Sequence, residues 1–392
     1  MRRTLYLILV LPAALSVPLI GGYAPVAVGT LLDTWIVLFV VLCILRSRVV
    51  TPLALGVVIT YALSRLVPAL ATEAPLLDFA QAYKWVLYLA AFVLALGRAW
   101  GPVRPLIRVV FTLLLFALAK ALLTVAVAGT GARSGLLTEN NFEIALFVGL
   151  IAVTYGAMSA RQRFWAVTVV GAITVLSGSR SGVVAFVILV IYVIAQTKRL
   201  NLFLRYLLAL VLPVVLWYAS SVFTERAVQT GGVVDRLNFL SVFLLETSDW
   251  GPHTWLLGTT PLTPLSTEAC GALSYYQYLF ATTGDGTCYS VVLHAFTLRV
   301  LFDAGILGLL LAFGTAFYAL RTSKVSPGLI LALLLVAFTN GLSVSGLNNA
   351  YVALPILIAI GLRATTPGSS PEIASEGWQR PIQRRNTTSR PS

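Results

Sequence analysis

Three places in this chain combine residue types in ways that could do chemistry. The first is "AITVLSGSRSGVVAFV", where a six-residue polar break at 177–182 separates two hydrocarbon runs and carries Arg180 between Ser179 and Ser181. Gly178 and Gly182 relax the backbone there, so serine hydroxyls, amides at a helix start and a guanidinium can converge on an anion. The same arginine could instead snorkel from a turn at headgroup level. The second is "GGVVDRLNFLSVFLLETS", which places Arg236 in the first turn of an amphipathic surface helix with Leu237, Leu240, Phe243 and Leu244 on its apolar face. Locally, an ion pair with Asp235 or Glu225, or simple solvation, accounts for that arginine. The third is "YSVVLHAFTLRVLFDAGILGLLLAF", where His294 stands just ahead of an apolar run and Arg299 follows about a turn and a half later. An imidazole in that place is either an interfacial side chain or a general base. His253, in "WGPHTW", reads as a loop residue.

The elements that must hold these groups follow from composition. The chain has 392 residues, 58% hydrophobic and 10% charged, with net charge +13. That is more apolar surface than a soluble fold of this size can hide, so the surrounding solvent must be a bilayer. The strict alternation of an outer-membrane barrel is missing, and the expected class is all-α and polytopic. Apolar runs predict helices near 4–21, 26–45, 50–70, 79–97, 105–128, 141–159, 163–177, 182–197, 202–222, 304–320, 327–345 and 349–363, about twelve in all. Four regions result: 1–222 with nine membrane helices, a large extracytoplasmic helical loop at 223–295, three further helices over 296–364, and a disordered basic tail at 365–392. The opening "MRRTLYLILVLPAALSVPLIGG" has the pattern of a signal peptide but is expected to stay as the first helix.

Orientation follows from the cations. Arg46/Arg48, Arg98/Arg104, Arg161/Arg163, Lys198/Arg199 and Arg321/Lys324 fall on one side if the N-terminus is cytoplasmic, together with the tail. Glu73, Asp78, Glu139, Asp235, Glu246 and Glu268 fall on the other. Topology therefore explains the positive charge, and nucleic acid is not expected as a partner. Arg180 then lies on the acidic side, where it opposes the orienting bias, and this favours the anion-site reading. Arg65, Lys84 and Lys120 fall within spans and are expected to face the bundle interior, paired with Asp33 or a ligand phosphate. Cys270 and Cys288 share the outer loop and form a candidate disulfide, worth about 3 kcal/mol in the chain-entropy model. No Asp-x-Asp, metal-ligand spacing, phosphate loop or nucleophile elbow occurs, so neither a metal nor a cofactor is expected.

The order of four stretches resembles the O-antigen ligase and polymerase superfamily of bacterial membrane glycosyltransferases. "GLLTENNFEIALFVGL" is similar to its Asn-containing start of a span and marks Asn141 as a candidate substrate contact. "LSGSRSGVVAFVI" resembles its Ser-Arg-Gly break, with Ser181 intervening. "DRLNFL…WLLGTTP" resembles the arginine, helix and Leu-Gly passage of its large periplasmic loop. "LHAFTLRVLFDAGILGLLLAF" looks like its His-led helix, with Ala295 where Asn is usual. The likeness covers roughly 135–320. It implies a metal-independent, inverting transferase of the C-type architecture in the bacterial inner membrane, with both termini cytoplasmic and the active site periplasmic. The implied donor is an undecaprenyl-diphosphate-linked glycan, and the implied acceptor is lipid A-core or another glycan. Arg180 and Arg236 would hold the diphosphate, His294 would take the acceptor proton, and Arg299 would lie within reach of substrate. A repeat-unit polymerase, or a transporter of lipid-linked sugar, remains the alternative.

Overall fold

The computed structural model describes residues 1–46, 51–129, 132, 134–196, 235–284 and 286–363. The helix expected near 202–222 and the basic tail lie outside these residues, as do Arg48, Arg133, Lys198, Arg199 and Glu225. The described chain is helical, and no strand occurs in it. In chain order the helices are α1 (Arg2–Ser16), α2 (Val28–Arg46), α3 (Pro52–Ala71), α4 (Leu76–Leu94), α5 (Arg104–Ala128), α6 (Asn140–Thr154) and α7 (Ala160–Ser177). They continue with α8 (Arg180–Gln196), α9 (Asp235–Glu246), α10 (Pro252–Leu257), α11 (Thr267–Ala272), α12 (Phe296–Thr322), α13 (Pro327–Gly341) and α14 (Ala350–Arg363).

Their ends follow local chemistry. Proline at the first helical position opens α3, α10 and α13, where its missing N–H costs nothing. At the head of α7, Ser159 Oγ accepts from the Gln162 N–H at 3.3 Å and Gln162 Oε1 from the Ser159 N–H at 2.9 Å, a reciprocal cap. Among the described residues, six segments are long and apolar enough to cross a membrane: Val28–Leu45, Pro52–Ala71, Leu76–Leu94, Arg104–Ala128, Asn140–Ala157 and Phe296–Thr322. Shorter apolar helices are Arg180–Gln196, Pro327–Gly341 and Ala350–Leu362. The core runs continuously through α4, α6 and α14, of which α6 and α14 bury nearly every side chain and α4 more than half; α3 buries few and stands at the rim.

The helix ends are tied into two layers. In one, Arg2 Nη1 donates to Trp100 O (3.1 Å), the Trp100 N–H to Gly361 O (2.9 Å) and Arg98 Nη2 to Cys43 O (3.3 Å). In the other, Thr138 meets the Tyr351 hydroxyl at 2.7 Å, Asn348 bridges the Trp85 N–H (2.9 Å) and Gln81 O (2.8 Å), and the Phe296 N–H reaches Val344 O (2.9 Å). The cations expected inside spans are held by the protein. Lys84 pairs with Asp33 at 3.1 Å, and the Tyr88 hydroxyl donates to the same carboxylate. Lys120 Nζ donates to Gly22 O at 2.6 Å.

The loop segment 235–295 has a small core of its own. Phe239, Val242 and Phe243 of α9 pack with Leu265, Leu273, Val292 and Phe302. The apolar face of α9 therefore differs from the expected one. Phe243 is buried, but Leu240 and Leu244 are exposed and Phe239 and Val242 turn inward in their place. The aromatic partners explain the rotation: Phe239 packs on Tyr276, and Phe243 on Trp250 and Trp255. Cys270 and Cys288 are free thiols, not the expected disulfide. The Cys270 Sγ is turned towards the carbonyls of Leu265 (3.7 Å) and Cys288 (4.0 Å), which hold it as a hydrogen-bond donor. Burial, followed by the neighbouring Cys270, pushes the Cys288 thiol far above the usual thiol range, so it is a poor nucleophile as it stands.

Candidate functional site

Arg180 is the first residue of α8, half-buried, directly after a break that two neighbouring asparagines pin in place. Gly178 ends α7 in the left-handed region, φ +58°, where a side chain would be strained. Ser179 then caps α8, its Oγ accepting from the Gly182 N–H at 3.2 Å. The same hydroxyl donates to Asn141 Oδ1 at 3.1 Å, and Asn141 Nδ2 donates to Glu139 Oε1 at 2.9 Å. Asn140 Nδ2 donates to Ser177 O at 3.2 Å. Gly182 lets α8 press on α6, since a Cβ there would stand 2.6 Å from Ile144 Cδ1. A cation at a helix start opposes the helix dipole, whereas an anion arriving there is favoured by both.

The asparagines are themselves braced from behind. The Glu143 carboxylate, buried in the first turn of α6, accepts from three successive backbone N–H groups: Leu136 (2.6 Å), Leu137 and Thr138 (2.7 Å). Lys120 faces it from α5. The segment before Asn140 is thereby locked, and the direction of both asparagine side chains with it.

The second cluster surrounds His294. A 3₁₀ turn, Ser290–Leu293, ends on this residue at φ +24°, ψ −24°, a backbone conformation that few non-glycine residues occupy. Burial holds the imidazole below the usual histidine range, and the Arg299 guanidinium adds to the effect. His294 is thus neutral, half-buried and edge-on to Phe239. Arg299 is 5% exposed, and its Nη2 is buried without a hydrogen-bond partner. Asp303, one helical turn further on, is buried and accepts from Ser290 Oγ at 2.7 Å.

Helix α12 breaks just below, at Gly305 (φ +64°, ψ −167°). The free carbonyls of its first segment are taken up from outside. Thr259 donates to Phe302 O through its N–H (2.9 Å) and Oγ1 (3.1 Å), and Arg65 Nη1 donates to Asp303 O at 3.1 Å. Arg65 also reaches Leu257 O (3.0 Å) and Thr259 O (3.4 Å), closing the end of α10. Gly258 and Gly305 allow two backbones to touch: a Cβ on either would stand 2.4 Å from an atom of the other's segment.

The residues singled out from sequence therefore fall into two clusters at one end of the bundle. Arg180 and Asn141 share one, and His294 and Arg299 share the other; α13 packs against both α8 and α12. The backbone of Arg236 lies in the first turn of α9, as expected, and its side chain is outside the described residues. Sequence reasoning missed Asp303, Arg65 and Glu143 as partners. Asp303 had a signal, four residues after Arg299 and hence on the same helix face. Glu143 had one too, as an acid in the first turn after two asparagines. The role of Arg65 depends on the break at Gly305 and had none. Compared with known proteins, the chain matches no family model and no curated sequence.

Proposed function

We propose that this chain is a membrane glycosyltransferase of the O-antigen ligase type. It moves a glycan en bloc from undecaprenyl diphosphate to a sugar hydroxyl of lipid A-core. In this reading about twelve helices cross the inner membrane, both termini are cytoplasmic, and the segment 223–295 is periplasmic. The observation that carries the proposal is the setting of His294: a neutral imidazole in strained backbone beside a buried guanidinium, at the same end of the bundle as Arg180.

The chemistry asked of these residues is modest. The acceptor oxygen attacks the anomeric carbon from the face opposite the diphosphate, and the C1–O bond to phosphorus breaks with inversion. The electron pair leaves on undecaprenyl diphosphate, where Arg180 and Arg236 stabilise the added charge. His294 takes the acceptor's hydroxyl proton. Asn141 positions Arg180 through Ser179, and Arg299 keeps His294 deprotonated.

The test is purified protein in proteoliposomes with lipid-linked donor and each acceptor in turn. Arg180→Ala should lower transfer by at least about a hundredfold with protein level unchanged. Normal transfer by that variant removes the diphosphate role. Product on a new repeat unit instead of lipid A-core would favour the polymerase alternative. A transporter is disfavoured because Arg65, Lys84 and Lys120, the cations expected within spans, are each engaged by the protein's own oxygens.

A further inference from the structure

The strained backbone at His294 needs a cause in the parts around it. A residue with a Cβ held at φ +24° relaxes unless its surroundings over-determine it. The chain on either side is pinned by main-chain bonds. Before it, the Leu265 N–H donates to Cys288 O at 2.8 Å; after it, the Phe296 N–H donates to Val344 O at 2.9 Å. Between these points Val292 and Leu293 are fully buried in the core of the loop segment. Apolar packing has no direction, so it buries the turn without fixing its angle.

Direction comes from Ser290. Its fully buried hydroxyl donates to Asp303 Oδ1 at 2.7 Å, an acceptor thirteen residues further along the chain, with His294 between them. The acceptor is itself anchored. Asp303 is buried two residues before the break at Gly305, and Arg65 of α3 holds its main-chain oxygen at 3.1 Å. A bond to a carboxylate is stronger than one between neutral groups, and burial of both partners makes its loss costly. Arg299 stands one helical turn before Asp303 on the same segment of α12. The bond that anchors the turn therefore also sets how His294 faces that guanidinium.

We infer that Ser290 and Asp303 are positioning residues for His294: their hydrogen bond holds the Ser290–Leu293 turn, and with it the imidazole, in the orientation that acceptor activation needs. Both side chains are buried and act only through the imidazole. The inference rests on the proposed role of His294 in transfer, but the geometry it asserts can be read without turnover. The chain has two histidines and His253 is exposed, so a carbon-13 ring label gives one signal from each.

The test is nuclear magnetic resonance of the histidine-labelled full chain in detergent, purified on a tag free of histidine, as wild type, Ser290→Ala and Ser290→Thr. Glycan transfer from the lipid-linked donor is measured on the same samples. Ser290→Ala deletes one oxygen and should move the His294 signal towards that of His253, which stays in place. Its kcat should fall by about tenfold to a hundredfold, with KM within about twofold of wild type. Ser290→Thr keeps the hydroxyl and should restore both; Ser290→Cys, a weaker donor of similar size, serves if the added methyl group is not accommodated. A His294 signal unmoved in Ser290→Ala would overturn the positioning role, whatever the transfer assay reads. A moved signal with unchanged kcat would support it and remove His294 from the reaction, so the two readings fail separately.

Discussion

Arg299 sets a pH signature for His294. In the proposed mechanism, with the imidazole favoured in its neutral form, His294 would stay available as the base below the ordinary histidine value of about 6.5. The acid limb of the pH–rate profile should therefore fall below that value. Arg299→Gln removes a cation and moves the limb upward, while His294→Ala abolishes it and lowers the rate by about a hundredfold or more. An acid limb unmoved in Arg299→Gln would show that the two groups do not communicate. Stability shares the sign. The folded chain binds fewer protons here than the unfolded chain, so the contribution is complete above about pH 6.5 and is lost as pH falls through the lowered folded value.

At the scale of elements, the junction between α10 and α12 rests on two glycines. Gly305→Ala brings a methyl group to within 2.4 Å of Leu256 O and forces a side chain onto φ +64°. We expect a loss of about 2–4 kcal/mol, read as a lower midpoint of thermal unfolding and faster proteolysis within 250–260. An unchanged midpoint would mean the junction is slack. This junction also marks the limit of what periodicity could reveal. Most helices were legible in the sequence because apolar runs ended at Pro, Gly or charge, and their observed bounds agree within a few residues. The start of α12 was expected near 304 because Arg299 and Asp303 interrupt the hydrocarbon there. The chain in fact turns helical at Phe296, those two side chains being buried among Ser290, Tyr83 and Arg65. The rotated face of α9 was hidden for a related reason: Leu240 and Phe239 are equally apolar, and only the aromatic partners from 250–276 decide between them.

For the whole molecule, the two layers of tied helix ends make topology testable. Arg2, Arg98 and Gly361 share one layer, and Thr138, Phe296 and Val344 share the other. With the basic layer cytoplasmic, a cysteine at Ser248 should react with an impermeant thiol reagent in spheroplasts, and one at Thr322 only after lysis. The reverse pattern would invert the assignment and move every candidate site residue to the cytoplasm. Arg180, His294 and Arg299 were singled out by local composition, and Asn141 by the resemblance of its segment. Their partners Glu143, Asp303 and Arg65 come from other turns or helices, which a linear pattern does not connect.

The core of the loop segment is closed by Phe302, which belongs to the first stretch of α12 and lies beyond the loop itself. During synthesis a chain halted at 295 would carry α9 to α11 with their interior open. The segment can consolidate only once the next seven residues have emerged, so maturation of this segment is tied to formation of the helix that follows it. A premature stop just after Ala295 should thus leave a protease-sensitive product, although every residue of the loop would already have been made.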